Sequence, residues 1–234
     1  MKICLFSLPD LLNGRQSIKD ERLDQVDKIT KSEKKTYIQV ELIGEKEILD
    51  ADVVLAAKEA RADLILSDLE FIENRLIKVS DELERNILNK LKNVLEKEEF
   101  ISSVILNEEE KKVISGCGLV TIKPIVLSGK DELDDKEKLI FKAFRESGFM
   151  SFFTTGEKET RAWLIKNGAT AWEASGAVHS DIQKGFIRAE IISFNDFVQY
   201  GGGVAAKQAG KLRLEQKDYV IQDCDLANFR FNKS

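Results

Sequence analysis

Few residues in this chain are of a type that could do chemistry. His179 is the single histidine among 234 residues, which removes histidine-based metal centres and most triads from consideration. It stands before Ser180-Asp181 with no nucleophile beside it. A structural hydrogen-bonding role suits it, and so does contact with an RNA end or another ligand. Cys4, Cys117 and Cys224 are odd in number and far apart. They match neither a disulfide framework nor a metal spacing and read as small core residues in a reducing compartment, so the cytoplasm is the expected location and no metal is expected. Asp and Glu abound but fall on solvated helical faces.

A phosphate-cradling loop needs G-x-x-x-x-G-K-[ST], because glycines let backbone N–H groups approach phosphate, Lys adds charge and a hydroxyl holds magnesium. Its place is after the first strand. There the chain reads Leu8-Pro9-Asp10-Leu11-Leu12-Asn13-Gly14-Arg15-Gln16-Ser17, with one glycine and no Lys. Gly129-Lys130-Asp131 and Gly210-Lys211-Leu212 lack the preceding glycine and the hydroxyl. Gly201-Gly202-Gly203 reads as a surface turn, with a phosphate-contacting loop as the other reading.

These groups must be held by elements that the patterning predicts. Lys2–Leu8 reads as a buried strand ending at Pro9, and Thr36–Ile43 as an alternating strand closed by Gly44. A helix is expected around Asp20–Ile29. Ile65, Leu69, Ile72, Leu76, Val79 and Leu83 form one helical stripe. Asp81-x-x-Glu84 resembles a capping box. The spacing therefore predicts a helical hairpin over about 51–98, with helices near 51–79 and 82–98, and one continuous helix as the rival. A short helix at 108–115, a strand at 119–127 carrying Pro124, and a helix at 134–147 capped by Gly148 follow. Beyond Phe149, short strands (161–165, 186–192, 211–214, 219–221, 226–231) alternate with turns, and Thr170-x-x-Glu173 opens a helix over 171–178. A small α+β domain with one helix across a mixed sheet is expected.

Composition agrees with a folded, water-exposed chain: 43% hydrophobic, 33% charged, net charge −5. No apolar stretch is long enough to span a bilayer, and the N-terminus does not read as a signal peptide. The charge is uneven. Ser151–Ser234 holds 11 Lys and Arg against 10 Asp and Glu, a net of +1, which leaves −6 for the rest.

Phe152-Phe153-Thr154-Thr155-Gly156-Glu157-Lys158-Glu159-Thr160-Arg161-Ala162-Trp163 is highly distinctive. So are His179-Ser180-Asp181, Lys184-Gly185-Phe186-Ile187-Arg188-Ala189-Glu190, the run Ala209–Val220, and Phe229-Arg230-Phe231. Together they resemble the C-terminal TGS domain of the YchF/Obg-like ATPase family. Leu64-Ile65-Leu66-Ser67-Asp68-Leu69-Glu70 is similar to the start of that family's helical hairpin. Thr121–Val126 is similar to the strand leading to its base-recognition motif, and Arg22-Leu23-Asp24 with Glu41–Gly44 to the segment running to its D-x-x-G motif. The resemblance implies a reduced, P-loop-like α/β domain over 1–148 and a β-grasp, ubiquitin-like TGS domain over 149–234.

The departures shape the functional expectation. Glu41 stands for the Asp of D-x-x-G, and Gly129-Lys130-Asp131-Glu132 falls where N-x-x-E would. Cys224 replaces the Gly of an Asp-Gly-Asp turn, and Trp172 a first-turn proline. The chain is over 100 residues shorter than a full member, with the switch region and a sheet strand expected to be missing. The resemblance then implies a non-hydrolytic protein, not an enzyme, that binds RNA or the ribosome through its TGS domain in translation or stress. Candidate contacts are His179, Lys184, Arg188, Lys207, Lys211 and Arg213. The alternatives are residual ATP or GTP binding near Asn13, Gly14, Arg15, Ser17, Gly129 and Glu132, and a protein-interaction scaffold built on the hairpin.

Overall fold

The computed structural model describes residues 1–232, so the last two residues of the expected 149–234 domain lie outside it. The chain forms two compact units. One comprises Met1–Gln16 and Val40–Ser147, the other Ser17–Gln39 and Gly148–Ser234. The expected two-part division is thus drawn differently, because Ser17–Gln39 joins the C-terminal part.

In the first unit, β1 (Lys2–Phe6) lies between β4 (Ile38–Ile43) and β5 (Val53–Ala57), and β5 is flanked by β6 (Ile125–Ser128). All three pairings are parallel. The edge strand β2 (Gly14–Ile18) completes the sheet order β2-β4-β1-β5-β6. β5 corrects the expectation of a helix from residue 51 and of a missing strand. Val53-Val54-Leu55-Ala56 is fully buried, and a strand covered on both faces reads as a continuous apolar run rather than an alternation.

The hairpin forms as α2 (Arg61–Lys78) and α3 (Glu82–Leu95). Ile65, Ile72 and Val79 are buried against Ile87, Leu88, Leu91 and Leu95, with Leu69 and Leu76 packed alongside. The Asp81 side chain accepts the Glu84 N–H at 2.7 Å. Glu84 meets Arg75 across the hairpin at 2.7 Å. Asp68, 1% exposed, accepts the backbone N–H groups of Val120 and Thr121 at 2.9 and 2.7 Å and the Thr121 hydroxyl at 2.6 Å. This clamp holds residues 119–121 out of the strand expected there, so β6 begins only after Pro124. The helices α4 (Glu108–Ile114) and α5 (Lys136–Glu146) complete the unit. Gly148 follows α5 with φ of +80°.

The second unit is built on β7 (Phe149–Thr154) and β8 (Glu159–Lys166), an antiparallel hairpin. Then come α6 (Ala171–Val178), α7 (Ser180–Lys184), β9 (Phe186–Ile192), α8 (Phe194–Tyr200), α9 (Gly203–Gln208), β10 (Arg213–Glu215) and β11 (Leu226–Phe231). β11 runs antiparallel to β9 and parallel to β7. The order β10-β9-β11-β7-β8, with α6 after the first hairpin, is a β-grasp. Met150, Phe152, Ala189, Ile191, Ala227 and Phe229 face α6 through Ala171 and Ala174. Phe152 is fully buried, with Phe229 edge-on at 5.9 Å.

Two features of this unit were not anticipated. α8 and α9 fill the stretch before β10, with the glycine run turning the chain between them. The N-terminal insert belongs here: the helix expected around Asp20–Ile29 forms as α1 (Glu21–Thr30) within this unit, and an unexpected β3 (Lys34–Thr36) extends the sheet parallel to β8. The strand expected at 219–221 is a single bridge between Thr170 and Val220. No helix among the described residues is long and apolar enough to cross a membrane.

Candidate functional site

Ligands of parallel α/β sheets sit outside the carboxyl ends of the strands. In the first unit that edge carries a cavity of about 430 Å³, lined by the loop Ser7–Leu11 after β1, by Ala57, Glu59, Ala60 and Asp63 after β5, and by Ser128, Lys130, Leu133 and Lys136 after β6. The walls are partly apolar through Leu8, Leu11 and Leu133. Lys130 and Lys136 face Asp10, Glu59 and Asp63, so the lining has two cations to three carboxylates. The Lys136 ammonium donates to the Asp10 carbonyl at 2.9 Å. Ser7 takes a φ of +54°, and its N–H donates to the Glu45 carboxylate at 2.8 Å. β1 is followed by β2 and not by a helix, so no helix N-terminus opens on the cavity from that loop. This lining suits a base and sugar. It gives a triphosphate no net charge compensation.

The residues expected around a residual nucleotide site divide. Asn13 lines a neighbouring cavity with Gly44, Glu45, Lys46 and Glu47, and the two cavities share the wall Ser7–Pro9 and Leu11. Gly14 and Arg15 lie on β2, and Ser17 accepts a hydrogen bond from the Gln39 side chain at 2.6 Å. The N–H of Gly129 donates to Glu132 at 3.0 Å, and Lys142 pairs with the same carboxylate at 2.8 Å. The Lys142 ammonium and the Gly129 N–H hold the Glu132 carboxyl below the usual range. Ser7, Ser128, Glu59, Asp63 and Lys136 were missed. Their signal depended on recognising β5, whose carboxyl end supplies two of them.

The six residues expected to touch RNA lie in the second unit but do not share one face. His179 ends α6 and caps α7, and its Nδ1 accepts the Asp181 N–H at 3.1 Å. That bond puts the ring proton on Nε2, so we read the 3.5 Å approach of Nδ1 to the Asp181 carboxylate as part of the cap and not as an ion pair. Lys184 is exposed at the end of α7. Arg188 is exposed on β9, opposite Arg230, on the sheet face turned away from α6. Lys207 lines a cavity of about 720 Å³ on that second face with Glu190, Asn228 and the turn Gly201–Gly203. Lys211 approaches Asp196 at 3.4 Å. Arg213 is engaged internally: it donates to the Tyr219 hydroxyl at 2.9 Å, which donates to Asp225 at 2.8 Å. Burial pushes the Tyr219 hydroxyl up to about 12.

A further cluster ties the N-terminal insert down. Arg22 grips Asp20 with two nitrogens, at 2.9 and 2.7 Å, and Asp223 with a third at 2.6 Å. Arg22-Leu23-Asp24 therefore belongs to α1 of the second unit. Cys224, beside this cluster, has the left-handed conformation expected of a glycine position, with φ of +63°. Burial pushes its thiol up to about 12.

With this unit drawn to include Ser17–Gln39, the charge division sharpens. The second unit holds 17 Lys and Arg against 15 Asp and Glu, and the first 19 against 26.

Residues 149–232 match the family model YchF-GTPase_C, described as a protein of unknown function (DUF933). The curated relatives include the "Ribosome-binding ATPase YchF" of Bacillus subtilis (strain 168), 34% identical over 73% of this chain and 64% of its own length. The protein of that name from Pasteurella multocida (strain Pm70) is 34% identical over 64% and 56%. The one from Haemophilus influenzae is 32% identical over 73% and 64%. The chain thus spans less than two thirds of these relatives. The structure of the Schizosaccharomyces pombe YchF GTPase superposes with a TM-score of 0.80 at 16% identity, covering 98% of this chain and 97% of that one, which shows a common fold. The expectation that the chain is not an enzyme is overturned. The relatives' names carry ATPase activity and point to an enzyme family. The distinctive C-terminal motifs, the agreement of the curated relatives and the shared fold lead to one assignment: this chain belongs to the YchF family.

Proposed function

We propose that this protein associates with the ribosome and that its second unit, TGS-like in its motifs, makes the contact with ribosomal RNA. The carrying observation is the charge division: the unit with the family match is net +2 while the other is net −7. Exposed Lys184, Arg188 and Lys217 belong to no ion pair within 4 Å among the described residues. The relatives' names, which record ribosome binding, support the same reading. On this reading the protein works in the cytoplasm. Binding through a few Lys and Arg contacts releases condensed counterions, so affinity should fall steeply with salt. In co-sedimentation with purified ribosomes, Lys184→Glu with Arg188→Glu should weaken association at least ten-fold at low salt. Salt-independent binding, or binding untouched by the double substitution, would overturn the reading.

A second reading rests on the crevice at the carboxyl ends of β1, β5 and β6, which stands where an α/β sheet takes a nucleotide. ATP or GTP would place its base and sugar against Leu8, Leu11 and Leu133, with Lys130 and Lys136 as the nearest cations. Calorimetry with ATP and GTP in the presence of magnesium, alongside a phosphate-release assay, tests binding and turnover separately. Lys130→Ala with Lys136→Ala should weaken binding several-fold.

A further inference from the structure

We infer that the α6–α7 corner of the second unit is a stacking strip for unpaired RNA bases, with Trp172 as its principal platform. The inference rests on the ribosome reading and names the chemistry that this part of the surface would take. Trp172 is 46% exposed, yet both its backbone and its indole are tied down. Its backbone N–H donates to the Lys217 carbonyl at 3.1 Å, and its ring N–H to the Gln183 carbonyl at 3.1 Å. The Gln183 side chain returns a bond to the Trp172 carbonyl at 3.2 Å. It lies over Gly176, where any Cβ would come within 2.7 Å of it. A large ring fixed in one orientation and left half in water loses little side-chain entropy on binding a flat partner. By contrast, Trp163 is already covered, by Arg161 at 4.0 Å and by Phe152.

His179 adds a second exposed ring seven residues along, about 10 Å at the helical rise of 1.5 Å per residue. Its Nε2 carries the ring proton and can donate to a base or phosphate. Two lysines adjoin the residues that contact Trp172. Lys217 gives the carbonyl that binds the Trp172 N–H, and Lys184 follows Gln183. The nearby carboxylate of Glu173 is taken up by the Thr170 cap, and Asp181 sits against His179. Aromatic rings with flanking lysines are the chemistry that binds single-stranded nucleic acid. Bases locked in a duplex cannot present a free face.

The test uses the full chain with a fluorescein-labelled, unstructured ten-nucleotide RNA and with a duplex of the same length. The single strand should bind more tightly and quench tryptophan emission. Trp172→Ala should weaken it about ten-fold, as loss of one stacked base predicts, with Trp172→Phe restoring most of the affinity. Lys184→Glu with Lys217→Glu should lower the salt slope by about one or more. Circular dichroism and the melting temperature confirm that each variant folds. Equal binding by Trp172→Ala, equal binding of the duplex, or binding without quenching would each overturn the strip. Ribosome co-sedimentation run in parallel separates the two readings. A chain that pellets with ribosomes but binds no single strand refutes the strip and keeps the ribosome reading. One that binds the strand through Trp172 but not ribosomes does the reverse. Loss of ribosome binding in Trp172→Ala without any single-strand binding in the parent chain also refutes the strip, and points to a protein contact.

Discussion

Arg22 shows how much one side chain can settle. Its guanidinium forks onto Asp20, which is 4% exposed, and onto Asp223 from the far end of the chain. Asp20 also caps α1 by accepting the Arg22 N–H. Removing the arginine leaves an almost buried carboxylate without its cation, and uncompensated buried charge is costly. Arg22→Ala should therefore destabilise the second unit by about 3 kcal/mol in urea unfolding. Arg22→Lys should recover only part of this, because an ammonium cannot reproduce the two-nitrogen grip. A loss below about 1 kcal/mol would show that water replaces the arginine. None of this was legible in the sequence, where Arg22-Leu23-Asp24 lies in the helix expected around Asp20–Ile29 and resembles the segment running to the family's D-x-x-G motif. The left-handed turn at Cys224, one residue from Asp223, was legible because the resemblance placed it on a glycine.

Among the elements, those with a strong internal pattern were readable. β9 falls on the residues expected, and the hairpin stripe packs from Ile65 to Val79, while Leu83 at its end is left exposed because it opens the second helix on the solvent side. β5 was not readable, since a continuous apolar run of five residues has no period to separate strand from helix. The crevice residues that follow it were lost with it. Loop 119–121 misled for another reason: its β-prone residues are held by Asp68, a long-range contact that no local pattern records. Asp68→Ala should strand two buried N–H donors and cost about 3 kcal/mol. Burial raises the Asp68 carboxyl above its ordinary value, against the pull of the Thr121 and backbone hydrogen bonds. The native state then takes up this proton more readily than the unfolded chain. The cost of the ionised form is fully present at neutral pH and is relieved as pH falls toward the unfolded value. Relative to Asp68→Asn, the parent chain should gain stability between pH 7 and pH 4. A constant difference across that range would show that Asp68 is not the titrating group.

For the whole molecule, the unit boundaries depart from the order of the sequence. The insert Ser17–Gln39 is covalently part of the first sheet's strands, yet its buried Leu23 and Val26 and its strand β3 belong to the second unit. Residues that share a cooperative unit open together. In native-state hydrogen exchange, the amides of Val26 and Arg161 should show the same opening free energy and the same response to denaturant as Ile191. Val54 and Leu55 should follow a separate isotherm. If Val26 instead tracked Val54, the insert would belong energetically to the first unit. Composition and periodicity could not have shown this division, because β3 contributes three residues and pairs with a strand more than 120 positions away.

That pairing also imposes an order of events during synthesis. The first 39 residues leave the ribosome long before Glu159–Lys166, the strand that β3 must join. At about 5–20 residues per second, the interval is on the order of 6–25 s. Until it ends, α1 has no sheet to cover and its apolar side is open to solvent or to a chaperone. The later strand must then return to claim the earlier one. A nascent chain stalled before β8 therefore holds an unfinished second unit, whatever the first unit has achieved.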